Sequence, residues 1–271
     1  MKLSKFVPPP FRKFIRERMT VYVYTYAFRP CAAIEEQKLK FRYGGRELSV
    51  RANYRTALYD MISEVVDYDS YQLKKLRWGS GESVIVDIGA NVGVTTLVFA
   101  QIPGAQVFCY EPDPENFSYL RQNLETNGAS NVRPFQAAVG TSNGTVKFQT
   151  HPESTGGHLA GGNSAPDAPT ITVKSVNLDS VLKECGSAEI ALMKCDCEGD
   201  EYGLVEQFTP SHAARIRNLS FEVHDLDRSR NLQTISEKLI GLGYALSVVP
   251  DMWERSALHL LLAQRADEKQ Q

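Results

Sequence analysis

Residues 84–93 read Val-Ile-Val-Asp-Ile-Gly-Ala-Asn-Val-Gly, and this order predicts a strand that turns at once into a helix. The apolar run over 84–88 is broken only by Asp87 and closed by Gly89, as in a parallel strand covered on both faces. Gly89 and Gly93 flank Asn91, and glycines there let the chain turn tightly and let a ligand approach the main chain. The helix that follows offers free N–H groups to a polar ligand. Asp87, at the strand end, is placed to take a cationic amino group or to orient the loop.

Working outward, strands and helices alternate, which predicts a doubly wound, mostly parallel α/β sheet. Helices are expected over 92–101, 114–127, 201–208 and 232–242. Parallel strands are expected over 105–110, 132–138, 190–195 and 219–223, and an inserted pair over 145–150 and 170–176. The runs at 244–249 and 257–263 read as an antiparallel hairpin on the sheet edge, and 265–271 as a frayed polar tail. Between the inserted strands, residues 151–169 have the Gly, Pro, Ser and Asn content of a mobile loop. His151 and His158 within it read as lid residues or as solvated loop histidines. Upstream, residues 40–51 read as a hairpin around Gly44-Gly45, and 57–76 as a helix broken near Asp67. The chain thus divides into an N-terminal α/β cover, 1–82, and a main domain, 83–271.

The second local signal is Tyr110-Glu111-Pro112-Asp113. Glu111 lies about 20 residues beyond Gly89, where an acid ending the second strand takes a ribose diol. The stretch Gly-Ala-Asn-Val-Gly departs from the dinucleotide pattern G-x-G-x-x-G, so pyrophosphate binding, and with it an NAD-dependent oxidoreductase, is disfavoured.

These stretches together carry a resemblance. VDIGANVG (86–93), YEPDPENFSYLRQNLETNG (110–128), NVRPFQAAVG (131–140) and above all LMKCDCEGDEYGLVEQF (192–208) resemble the FkbM family of methyltransferases. Met193 stands where that family's I-K-x-D-x-E-G-x-E segment has Ile. The resemblance covers about residues 83–224 and implies a Rossmann-like class I methyltransferase fold and S-adenosyl-L-methionine as methyl donor. It implies O-methylation of a hydroxyl on a sugar, glycan, lipid-linked or secondary-metabolite acceptor. The expected cofactor residues are Asp87, Gly89, Asn91, Gly93, Glu111, Asp113 and Ala138.

Methyl transfer needs a positioned nucleophile and a place for its proton. Alternation along the fourth and fifth strands lets Asp196, Glu198, Glu222 and His224 converge at the carboxyl edge, where such sheets bind ligands. Two mechanisms stay open. Asp196, Glu222 or His224 is a general base, or Asp196, Glu198 and Glu222 bind a divalent cation, Mg²⁺ or Ca²⁺ rather than zinc by the chemistry of oxygen ligands. Acids here also suit the start of the next helix, and Lys194 reads as an ion-pair partner. Cys195 and Cys197 lack a second ligand pair for zinc and read as core.

The 271 residues are 42% hydrophobic, with 30 basic against 32 acidic side chains, enough for one substantial core. Near neutrality supplies no field toward nucleic acid, so a nucleic-acid methyltransferase is the weaker alternative. Five cysteines, an odd number with two inside apolar runs, argue for a reducing, cytoplasmic compartment. Residues 1–30 are basic and aromatic without an apolar signal segment. They read as a capping element or as an arm that touches a membrane surface, an anionic substrate or a second copy in a homodimer.

Overall fold

The computed structural model describes residues 21–22, 36–76, 78, 81–150, 158–159, 169–249 and 258–265. Strands β1 (Val21–Tyr22), β2 (Glu36–Tyr43) and β3 (Arg46–Asn53) form a three-stranded antiparallel sheet whose hairpin turns at Gly44-Gly45. Helix α1 (Leu58–Val66) follows, then a 3-10 turn at Leu73–Lys75. Leu58, Ile62 and Val65 of α1 recur at helical spacing and are buried together with Phe41, Leu48 and Val50 of the hairpin, as an amphipathic helix on a half-buried sheet requires.

The alternating pattern then delivers β4 (Ser83–Ile88), α2 (Val94–Phe99), β5 (Ala105–Tyr110), α3 (Pro114–Thr126) and β6 (Val132–Phe135). A smaller four-stranded sheet comes next, built from β7 (Ala138–Val139), β8 (Gly144–Gln149), β9 (His158–Leu159) and β10 (Thr170–Val176) in the order β7-β10-β8-β9. The chain returns through α4 (Leu178–Glu184), β11 (Ile190–Cys195), α5 (Glu201–Glu206), α6 (Pro210–Arg215), β12 (Asn218–His224), α7 (Leu232–Gly241), β13 (Tyr244–Val249) and β14 (Leu258–Arg265).

The main sheet runs β13-β14-β12-β11-β4-β5-β6. Its interior pairs, β12 to β11, β11 to β4, β4 to β5 and β5 to β6, are parallel. Only β14 is antiparallel, inserted between β12 and β13. The winding reverses between β4 and β11, since the strands that follow β4 in the chain lie on one side of it and those that follow β11 on the other. Alternation along each strand feeds two cores. Ile85, Val107 and Leu192 pack against the hairpin, α2 and α3, while Val86, Phe108 and Met193 pack against α4, α5 and α7.

Three expectations need correction. Residues 132–138 are not one strand: β6 ends at Phe135, opposite Tyr110, where its neighbour β5 also ends. With no partner left, the chain turns, Ala137 N–H donating to the Phe135 carbonyl at 3.1 Å, and Ala138–Val139 joins β10 instead. The helix expected from 92 begins at Val94, because Gly93 starts it in a left-handed conformation, φ 92°. The short helices α4 and α6 lie in stretches read as connections.

The loop over 151–169 and the arm over 1–30 fall outside the described residues, apart from β9, Pro169 and β1. So do His151, the side chain of His158 and the arm's surface for a membrane or a second copy. Among the described residues no helix is long and apolar enough to cross a membrane.

Candidate functional site

The carboxyl ends of β4, β5, β11 and β12 open into one cavity of about 300 Å³, at the reversal point where open α/β sheets bind ligands. Gly89, Asn91, Glu111, Ala138, Asp196 and Glu222 line it. Segments before the main sheet also line it, through Met61, Glu64 and Tyr71.

The loops that follow β4 and β5 are tied together by one carboxylate. Glu111 accepts from the backbone N–H of Asn91 at 2.7 Å and of Asp113 at 2.8 Å. Asn91 is itself left-handed, φ 50°, and its side chain accepts from the Val92 N–H. A non-glycine residue held there stores strain of about 1–3 kcal/mol, which collects at functional sites. Burial pushes the Glu111 carboxyl up to about 7, against the two N–H donors that pull it down.

Gly89 is required by its neighbours as much as by a ligand. Its φ is 76°, and a Cβ there would stand 1.8 Å from the Asp196 carbonyl oxygen. The Gly89 loop and the end of β11 are therefore in direct main-chain contact. Gly93 faces Leu120 of α3 and does not line the cavity.

Beneath that contact lies Lys194, 2% exposed. Its Nζ donates to the Gly89 carbonyl at 2.7 Å and approaches Asp87 at 3.2 Å and Asp196 at 3.3 Å. Asp87 also accepts from the Thr96 hydroxyl at 2.6 Å and is fully buried. The cationic amino group that Asp87 takes is thus the chain's own, and Asp87 does not line the cavity. Asp113 likewise serves the fold, capping α3 through the N–H groups of Glu115 and Asn116.

On the opposite side the expected convergence is partial. Asp196, Glu198 and Glu222 line the cavity, but His224 does not. Glu198 is left-handed, φ 53°, which turns the chain out of the strand alternation, and its carboxylate lies 3.4 Å from His224 Nε2. Buried Glu201 holds this turn, accepting from the N–H of Cys197 and Gly199 and pairing with His224 Nδ1 at 3.3 Å. Burial alone would lower His224, but Glu201, Glu198 and Glu222 outweigh it and raise it to about 9. His224 therefore carries a proton at neutral pH and cannot accept another, so it does not fit a general base. Burial raises Glu222 well above the usual carboxylate range, Asp196 and Glu64 adding to it.

The divalent-cation reading does not fit. Among the described residues no group of three or more His, Cys, Asp and Glu side chains could hold a metal ion. Asp196 is engaged by Lys194 and Glu198 by His224, so with Glu222 they do not present a common ligand face. Cys195 is buried in the core and Cys197 packs against it.

A model of the FkbM methyltransferase domain matches residues 87–245, from Asp87 to the start of β13. The chain belongs to the FkbM methyltransferase family. It is similar to the 31-O-demethyl-FK506 methyltransferase FkbM of Streptomyces tacrolimicus, 29% identical over 213 residues that cover 67% of this chain and 80% of the relative. It is also similar to the 2-O-methyltransferase NoeI of Sinorhizobium fredii, 32% identical over 142 residues, 46% of this chain and 56% of that one. Among solved structures, precorrin-6y C5,15-methyltransferase of Geobacter metallireducens aligns at 16% identity and TM-score 0.44, covering 74% of this chain and 89% of its own. The mostly parallel seven-stranded sheet with its antiparallel C-terminal hairpin, in a chain of this family, is the Rossmann-like class I methyltransferase fold, and the FkbM match begins beyond the hairpin and α1.

Sequence reading missed Glu64, Tyr71 and Glu201. Glu64 had a faint signal: Ala57, Met61 and Glu64 share a helix face beside the buried one. Tyr71 had none, since only the folded chain brings it to β11.

Proposed function

We infer that this FkbM-family methyltransferase uses S-adenosyl-L-methionine to O-methylate a hydroxyl of a sugar, glycan or secondary-metabolite acceptor. The observation that carries this reading is the chemistry of the lining at the β4–β11 reversal. Seven acidic side chains, Glu64, Glu111, Asp196 and Glu222 among them, line the cavity with one described cation, Lys194, already engaged. Such a lining accepts hydrogen bonds from hydroxyl and ammonium groups and repels pyrophosphate, so it fits the sulfonium donor and disfavours NAD and nucleic acid. The methyl donor supplies an activated carbon for in-line displacement.

The chain's own residues do the rest. Glu111 accepts from the ribose hydroxyls, and Asn91 and Gly89 shape the loop against the cofactor. Asp196, 22% exposed and paired with Lys194, takes the acceptor hydroxyl's proton, with Glu222 beside it. The relatives' names, an O-methyltransferase and a 2-O-methyltransferase, support the hydroxyl as target.

Calorimetric titration of S-adenosylhomocysteine tests the cofactor half. Glu111→Ala is expected to weaken binding about 100-fold, the loss of two hydrogen bonds to a charged group. Absence of binding by well-folded wild type overturns the reading. Asp196→Asn is expected to leave that affinity intact and to lower kcat by about 100-fold or more.

The pH dependence has a definite sign. With its folded pKa raised to about 7, Glu111 holds a proton between about pH 4.5 and 7 that a diol-accepting carboxylate must release. Its contribution to apo stability accordingly falls as pH rises through that window. Cofactor affinity rises instead, by about tenfold from pH 6 to pH 8. Titration of Glu111→Gln at the same two values is expected to show no such rise, and an equal rise in the variant sinks the assignment to Glu111.

A further inference from the structure

Tyr71 is a side chain the methyl-transfer reading leaves unused. It is 3% exposed, it lines the cavity, and among the described residues its hydroxyl has no hydrogen-bond partner. A hydroxyl so enclosed gains from any ligand that accepts its proton. Its ring stands 5.6 Å from the Lys194 ammonium, a cation–π contact that favours one ring plane.

The position of the hydroxyl says which ligand. The Tyr71 ring faces the Lys194 ammonium, which pairs with Asp196 at 3.3 Å, and Glu64 and Glu222 line the same cavity on that proton-accepting side. Burial pushes Tyr71 further above its ordinary value, so the hydroxyl stays protonated and offers a donor. The turn that carries it is tightly bonded. Asp69 and Gln72 on either side are both left-handed, φ 52° and 54°, and the Asp69 carboxylate accepts from the N–H of Leu73 and Lys74.

We propose that Tyr71 is an acceptor-binding residue, donating its hydroxyl to an oxygen of the methyl acceptor, and that with Glu64 and Glu222 it selects a polyhydroxylated acceptor bearing no acidic group. The inference rests on the methyltransferase reading above. It adds that the cover, which lies outside the family match, holds the acceptor. An acid entering here meets Glu64 and Asp196 with no free cation among the described lining residues, whereas neutral and amino-bearing polyols find side-chain oxygens that accept their protons.

The test uses the full chain and Tyr71→Phe. Thermal melting and S-adenosylhomocysteine titration come first. Ligand-observed NMR titration of the S-adenosylhomocysteine-loaded protein follows, with methyl α-glucopyranoside, glucosamine and glucuronate as probes. The expected result is unchanged melting and unchanged S-adenosylhomocysteine affinity, since the hydroxyl bonds nothing among the described residues. Wild type binds the glucoside and glucosamine and not glucuronate, and Tyr71→Phe binds both about tenfold more weakly. A variant that binds the sugars as tightly as wild type overturns the proposal. So does one that loses S-adenosylhomocysteine affinity while keeping the sugars, which puts Tyr71 on the cofactor side. Glucuronate bound as well as the glucoside overturns the selection. No probe bound by the loaded wild type overturns the acceptor class. Wild type that binds no S-adenosylhomocysteine sinks the underlying reading and this one together.

Discussion

Replacing Lys194 by methionine lowers folding stability by about 3–5 kcal/mol, the cost of removing one partner from a buried ion pair. Methionine is an apolar side chain of similar reach, so the loss is chiefly electrostatic. Asp87 is left fully buried with the Thr96 hydroxyl as its remaining side-chain partner, and the Gly89 carbonyl loses its Nζ donor. Urea denaturation at pH 7 measures the effect, and a loss under about 1 kcal/mol overturns this account of the cluster. Adding Asp87→Asn removes the uncompensated charge, so the double variant recovers part of the loss, a coupling expected for residues in contact. The pH sign follows from burial, which already raises Asp87 above its ordinary value. Without the cation its folded pKa rises further above the unfolded one. The folded variant then binds more protons than the unfolded chain, its stability falls as pH rises, and the deficit narrows on acidification.

Gly89→Ala costs about 4 kcal/mol or more and abolishes S-adenosylhomocysteine binding. Two effects add. A left-handed φ of 76° strains alanine by about 1–2 kcal/mol, and the new Cβ would stand 1.8 Å from the Asp196 carbonyl oxygen. That atom is backbone at the end of a central strand, so the loop must lift away, breaking the Asp196 N–H to Ile88 carbonyl bond of 3.1 Å. Gly128→Ala is the control, with a φ of 62° and no heavy atom within 4 Å of the added Cβ. It costs the strain alone, about 1–2 kcal/mol. Equal losses at the two glycines in denaturation experiments would show that the close approach at Gly89 carries no energy.

These two sites mark where sequence reading succeeds and where it stops. The strands expected over 190–195 and 244–249 agree with β11 and β13 residue for residue, because apolar runs bounded by breakers are local signals. The turn at Gly89 was legible for the same reason. What escaped was non-local. No pattern along the chain announces that Lys194 will sit between Asp87 and Asp196 under the Gly89 carbonyl. Helices α4 and α6, seven and six residues long, are too short to show a period. Alternation placed Asp196, Glu198, Glu222 and His224 on one side, and that held only until Glu198 entered its left-handed turn. The cover's share of the cavity depends on how α1 docks, which composition does not encode.

The insertion of β14 between β12 and β13 also bears on biosynthesis. A chain made from its N-terminus presents β12 long before the strand that flanks it exists, and Glu222 pairs across to Leu260 of β14. Until residues 258–265 emerge, β12 has β11 on one side and an open edge on the other, and β13 has no neighbour in the sheet. The wall of the cavity that carries Glu222 is therefore among the last parts to set. A nascent chain stalled before β14 is expected to expose an apolar strand edge, the surface that invites aggregation or chaperone capture.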